Sequence, residues 1–216
     1  MTLESLMARM TGDEKHGPAA TSTMDVIWVL YDEVLDVRPG EPDRDRFFLS
    51  KGHGPMAYYA TLAAKGFFPV EWLDDWGSFA SPLGFHPDRN LVPGVEISSG
   101  SLGHGLPLAV GTALGLRAQG IDARVVVLVG DAELDEGSNH EGVELGAALS
   151  LSNLTVVVID NTSSSYGVPG RIASRFDTEG WHVETVDGRS HPALRKALSA
   201  RFDRPNVVVA QVEEKY

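Results

Sequence analysis

Residues 124 to 161 run RVVVLVGDAELDEGSNHEGVELGAALSLSNLTVVVIDN, and no other stretch limits the fold so tightly. Val125 to Val129 is an unbroken apolar run stopped by Gly130 and Asp131. A strand buried on both faces reads this way. Thr155 to Ile159 is a second such run, β-branched and stopped by Asp160 and Asn161. Between them, Leu134, Val143, Leu145 and Ala147 to Leu149 alternate with acidic residues, and the second half of the segment is expected to be helical. Two buried strands joined by a helical crossover form a right-handed βαβ unit, so both strands run the same way. Asp131 and Asn161 are then expected at the same carboxyl-terminal edge of a parallel sheet, where ligands bind in open α/β folds.

Those two side chains offer one anionic and one neutral oxygen. Such a pair suits Mg²⁺ or Ca²⁺, with phosphate oxygens and water completing the shell. The Gly130 turn would also bring backbone N–H groups to a phosphate at a helix start. On the residues alone, an Asp and an Asn after two strands are more often ordinary turn and cap residues.

Other segments fit an α/β domain with helices on both faces of the sheet. Leu3 to Met10 reads as a short helix. Ser22 or Thr23 is placed to cap the next one, whose apolar face runs from Val26 to Leu35. Phe47 to Leu49, Trp181 to Val186 and Val207 to Val212 are further strand candidates. Met56 to Lys65, Leu106 to Gln119 and His191 to Arg201 read as helices, and TSSSYGVPGRIAS after Asn161 reads as a polar loop. Trp72 and Trp76 are spaced to pack on a core. A chain of 216 residues without internal repeat or linker is expected to be a single domain, residues 1 to 216.

Charge narrows the ligands. With 18 basic and 30 acidic residues the net charge is −12, which opposes binding to nucleic acid or to an anionic membrane surface. An anionic cofactor would need local help from metal, backbone N–H groups and histidines. Cysteine is absent, which removes disulfides and thiolate chemistry and fits a cytoplasmic protein. MTLESLMARM lacks the pattern of a signal peptide, and the strand runs are too short to span a bilayer.

GDAELDEG at 130 to 137, with Asn161 one βαβ unit later, resembles the thiamine diphosphate signature of transketolases. Ala132 stands where that family usually has Gly, and Ser163 where a larger apolar residue is common. Ser50-Lys51-Gly52-His53-Gly54 resembles the family's cofactor-contacting His turn. The segment from Ser81 to Gly105 resembles the one that carries a substrate-facing His and a Gly-rich turn. The resemblance implies a diphosphate-binding domain, thiamine diphosphate as cofactor, and Mg²⁺, with Ca²⁺ or Mn²⁺ as substitutes. Asp131, Asn161 and the Ser163 carbonyl would hold the metal. Gly130, Ala132, His53, Gly100 and Leu102 would contact the cofactor. His16 and His86 would face the sugar and move protons, an imidazole being apt near neutral pH. Glu136 would be the acid linking paired cofactor sites. His104 occupies the place of a common Gln, and His16 lies in EKHGPAA rather than the family's usual Ser-Gly-His-Pro-Gly.

The same resemblance implies an incomplete enzyme. The family's activating Glu belongs to a pyrimidine-binding domain for which 216 residues leave no room. The expected function is the N-terminal subunit of a two-component transketolase-like enzyme. A separately encoded partner would bring the pyrimidine domain, in a heterotetramer that moves a two-carbon ketol unit from a ketose or ketose phosphate to an aldehyde or carrier. The alternatives are a 2-oxo acid decarboxylating, acyl-transferring component and a non-catalytic regulatory subunit. A nucleotide-binding domain is disfavoured, because neither a GxxxxGK[ST] loop nor a GxGxxG turn is present.

Overall fold

The computed structural model describes residues 2–11, 17–165 and 167–214. Helix α1 spans Leu3–Met7 and α2 spans Gly17–Val29, continuing into a π-helical turn at Leu30–Val34. Strand β1 (Arg46–Leu49) leads to α3 (Met56–Ala64), and a 3₁₀ turn over Val70–Asp75 opens the long connection to α4 (Gly105–Ala118). Then follow β2 (Val125–Gly130), a 3₁₀ turn at Ala132–Asp135, α5 (Gly137–Ala148) and β3 (Leu154–Asp160). The rest is α6 (Arg171–Thr178), β4 (His182–Asp187), α7 (His191–Ser199) and β5 (Asn206–Gln211).

The five strands make one sheet in the order β1-β2-β3-β5-β4, and every neighbouring pair is parallel. The strand side chains alternate between two cores. Val126, Leu128, Val157 and Ile159 face a layer containing Leu6, Ile27, Tyr58 and Leu194 from α1, α2, α3 and α7. Val125, Val127, Val129, Val156 and Val158 face Leu106, Val143 and Phe176 from α4, α5 and α6. All residues of β2 are buried, as the valine run predicts for a strand covered on both faces. The α/β sandwich with helices on both sides is therefore as expected.

Two local expectations change. Ser22 and Thr23 lie inside α2 rather than at its cap. Their hydroxyls donate back to the Ala19 and Ala20 carbonyls at 2.8 and 2.9 Å, a local bond that helical Ser and Thr make routinely. The polar loop after Asn161 is also shorter than expected: Gly170 turns left-handed at φ 76°, and α6 begins at Arg171. Phe176 anchors that helix, fully buried and edge-on to Trp181 at 5.2 Å. Trp76 is buried and Trp72 stacks on Phe68 at 5.3 Å, so both tryptophans pack as expected. No helix of the described residues is long and apolar enough to cross a membrane.

Candidate cofactor site

Register places the metal candidates. Gly130 pairs with Ile159, and the Asp131 amide donates to the Ile159 carbonyl at 3.0 Å. Asp131 and Asn161 thus leave adjacent strands at the same carboxyl-terminal edge, both buried. The Asp131 carboxylate accepts the Ala132 amide at 2.8 Å, the Ser163 amide at 2.6 Å and the Ser164 amide at 3.1 Å. The Ser163 hydroxyl donates to Asp131 as well, at 2.6 Å. Asn161 Oδ1 is buried and has no hydrogen-bond partner.

Between these residues the backbone is strained. Thr162 has φ 55°, in the left-handed region that a β-branched residue enters rarely. Its hydroxyl donates to the Asn161 carbonyl at 2.8 Å, and the turn it makes aims the Ser163 and Ser164 amides at Asp131. Ala132, by contrast, sits in the 3₁₀ turn, and the only non-glycine residues with positive φ among those described are Ser150 and Thr162. Its methyl group in place of the family's Gly therefore carries no backbone strain.

A second corner forms at the end of β1. The His53 and His86 rings meet edge to face, with centroids 5.1 Å apart. They come from different turns, which the glycines allow to touch. A Cβ on Gly100 would fall 2.6 Å from His86 Cδ2, and one on Gly52 would fall 2.6 Å from the Gly100 nitrogen. Leu102 is half-buried beside this turn, and its carbonyl lies 3.2 Å from His104 Nδ1. Glu136 is exposed at the start of α5 and packs on Gly103, where an added Cβ would come within 2.7 Å of the Glu136 Cβ. His16 lies outside the described residues.

A cavity of about 360 Å³ opens beside Asp131, walled also by Asp135, Asp160, Thr162, Arg171 and Gln211. Neither His53 nor His86 lines it, so Asp131 with Asn161 and the His53–His86 pair form two separate corners of one sheet edge. Among the described residues no group of three or more His, Cys, Asp or Glu could hold a metal. A metal here would rest on Asp131, Asn161, backbone oxygen and the ligand's own phosphates. The donors present fit that demand. All are hard oxygens, the Asn161 carbonyl is buried with nothing to accept, and the Ser163 hydroxyl is a donor that can turn away from Asp131.

Sequence reading passed over Glu133. It is 1% exposed and takes hydrogen bonds from the Ser50 hydroxyl, the Gly103 amide at 3.0 Å and the Gly130 amide at 3.3 Å. Burial pushes its carboxyl above the usual range, against the pull of those donors and of Lys51. The only signal for it was its place inside GDAELDEG.

The fold is that of a parallel α/β domain with both corners at the carboxyl-terminal edge of its sheet. Residues 9–212 match the family model "Transketolase, thiamine diphosphate binding domain", and the chain belongs to that family. It is 56% identical to "Ferredoxin fas2" of Rhodococcoides fascians over 97% of this chain and 71% of that protein. It is 41% identical to an apulose-4-phosphate transketolase subunit of Actinobacillus succinogenes, over 90% of this chain and 75% of that one. Among solved structures, transketolase from Leishmania mexicana superposes with a TM-score of 0.79 at 28% identity. The match covers 98% of this chain and 36% of that one, so the chain spans about a third of the solved transketolase.

Proposed function

We propose that this chain is the diphosphate-binding subunit of a two-component transketolase-like transferase that binds thiamine diphosphate with a divalent metal, Mg²⁺ foremost. The observation that carries the reading is the Asn161 carbonyl oxygen, buried and without a donor, one strand over from the Asp131 carboxylate. A buried acceptor left unsatisfied calls for a partner, and a hard cation between a carboxylate and an amide oxygen supplies one. Asp131, Asn161 and the Ser163 carbonyl hold the metal in this reading, and Gly130 and Ala132 line the diphosphate.

The bound cofactor would supply a nucleophilic carbon able to carry a two-carbon unit. The chain's own residues do the rest. His53, fixed by its contact with His86, binds the diphosphate end. His86, on the exposed side of the pair, faces the sugar and holds or releases a proton there, joined by His16. Gly100 and Leu102 cover the link between the cofactor's rings, and Glu136 reaches toward a paired site.

The remaining machinery comes from a separately encoded chain with the pyrimidine-binding domain, two copies of each forming a heterotetramer. Relatives whose names describe one subunit of a transketolase, and the span of only 36% of a solved transketolase, support that division. A ketose or ketose phosphate as donor follows from the same relatives' names.

The test is calorimetric titration of the chain, mixed with its partner, with thiamine diphosphate in the presence of Mg²⁺. Asp131→Ala should lose metal-dependent binding while its far-ultraviolet circular dichroism matches the parent's, because the residue lies at a ligand edge rather than in the core. Undiminished affinity in that variant would refute the metal assignment. Mixing the chain with its partner and supplying either a ketose with an aldehyde acceptor or pyruvate then separates ketol transfer, read as the shortened aldehyde released from the ketose, from decarboxylation, read as CO₂.

A further inference from the structure

Three segments far apart in the chain build the cofactor site: the end of β1, the Gly-rich turn before α4, and the end of β2. Each is tied to one side chain. Glu133 Oε1 accepts both the Ser50 hydroxyl and the Gly103 amide, while Oε2 accepts the Gly130 amide at 3.3 Å. The first two partners lie 83 and 30 residues away in sequence.

The network continues outward. The Ser50 oxygen accepts the Gly105 amide at 3.0 Å, so the first residue of α4 joins it. A Cβ on Gly105 would fall 2.2 Å from the Ser50 Cβ, so helix and strand end are already in contact. Ser138 Oγ donates to the Gly103 carbonyl at 2.6 Å, and Asn139 Nδ2 donates to the Glu133 carbonyl at 2.6 Å. The turn bearing Gly100 and Leu102 is thereby held from the β2–α5 side through both its amide and its carbonyl.

We propose that Glu133 is the positioning residue of the cofactor site: its buried carboxylate holds the three segments in the one arrangement that brings His53, Gly100 and Asp131 to a common sheet edge. This rests on the cofactor reading above. The hydrogen bonds of the Glu133 carboxylate run to Ser50, Gly103 and Gly130, so it acts through the segments that carry those three residues. The chemistry of its surroundings selects a carboxylate. Every neutral partner is a donor, and Lys51 lies near enough to act on its charge. An ionised carboxylate accepts from all of them, whereas a glutamine must turn its NH₂ toward one. A buried carboxylate with donors on both oxygens favours a single arrangement of the segments that carry them.

The test compares Glu133→Gln and Glu133→Leu in the full chain, by titrating thiamine diphosphate with Mg²⁺ in the presence of the partner and by following amide hydrogen exchange. Oε1 has two donors and Oε2 one, so glutamine should keep its oxygen on Ser50 and Gly103 and face Gly130 with its NH₂. The Gly130 amide should then exchange faster while the Gly103 amide stays protected. Cofactor affinity should fall about tenfold in Glu133→Leu, as expected when buried donors lose their acceptor, and glutamine should restore most of it. Wild-type affinity in both variants overturns the proposal. So does a Glu133→Gln chain whose Gly103 and Gly130 amides keep parental protection, a result that stands even where Glu133→Leu fails to fold. A wild-type chain that binds no cofactor even when mixed with its partner overturns the functional reading itself, and that result is read without any variant.

Discussion

At the scale of single residues, the site depends on atoms brought closer than ordinary side chains permit. Gly100 has φ 129°, and any Cβ there would strike the His86 ring. Gly100→Ala should therefore cost about 2 kcal/mol, combining strain with displacement of the ring. Urea unfolding would measure it, and a midpoint equal to the parent's would show that the turn yields freely. Asp131, Asn161, Gly130 and the two histidines were legible in the sequence because strand-end position and motif coincide. Glu133 was not. In GDAELDEG it is one of four acidic residues, and a run of acids at a helix start reads as a solvated face. Its burial arises only when Ser50 and Gly103 arrive from elsewhere in the chain.

At the scale of elements, β2, β3 and β5 were legible because a strand covered on both faces needs a continuous apolar run, whereas β4 at the sheet edge mixes apolar and polar residues. Helix α6 was not legible. Ile172 and Phe176 are its only large apolar side chains, and the Gly and Pro before it look like more loop. The start of α2 was obscured for a different reason: Ser22 and Thr23 have cap chemistry but spend it on carbonyls within the helix. One clip between elements makes a pH prediction. Arg189 joins α2, through Asp25 at 2.7 Å and the Thr21 carbonyl at 2.9 Å, to Glu213 beyond β5. Its hydrogen bond with Arg189 holds the Glu213 carboxyl below the usual range. That contribution is present above the unfolded value, about 4.3, and is lost as pH falls through the lower folded one. The melting temperatures of the parent and of Glu213→Gln should therefore differ most near neutral pH and converge below about pH 4. The difference should be small, because the Glu213 side chain is 68% exposed.

At the scale of the whole molecule, a net charge of −12 sits on a chain proposed to bind a pyrophosphate. Long-range repulsion then opposes both compaction and ligand approach, and local donors must overcome it. Raising NaCl from about 20 mM to about 300 mM shortens the screening length several-fold. It should raise the melting temperature of the chain without ligand by a degree or two. A fall instead would mean that the surface ion pairs, such as Arg201 with Asp122 at 2.9 Å, outweigh the net repulsion.

Thr162 carries one consequence for anyone wishing to make the chain sturdier. Swapping in glycine at that position should relieve about 1 kcal/mol of torsional discomfort and lift the melting temperature. The same change would let the two amides behind Asp131 wander, so the variant should survive heat better and grip thiamine diphosphate less well. Firmness and aim pull against each other at this bend, and the chain has kept aim.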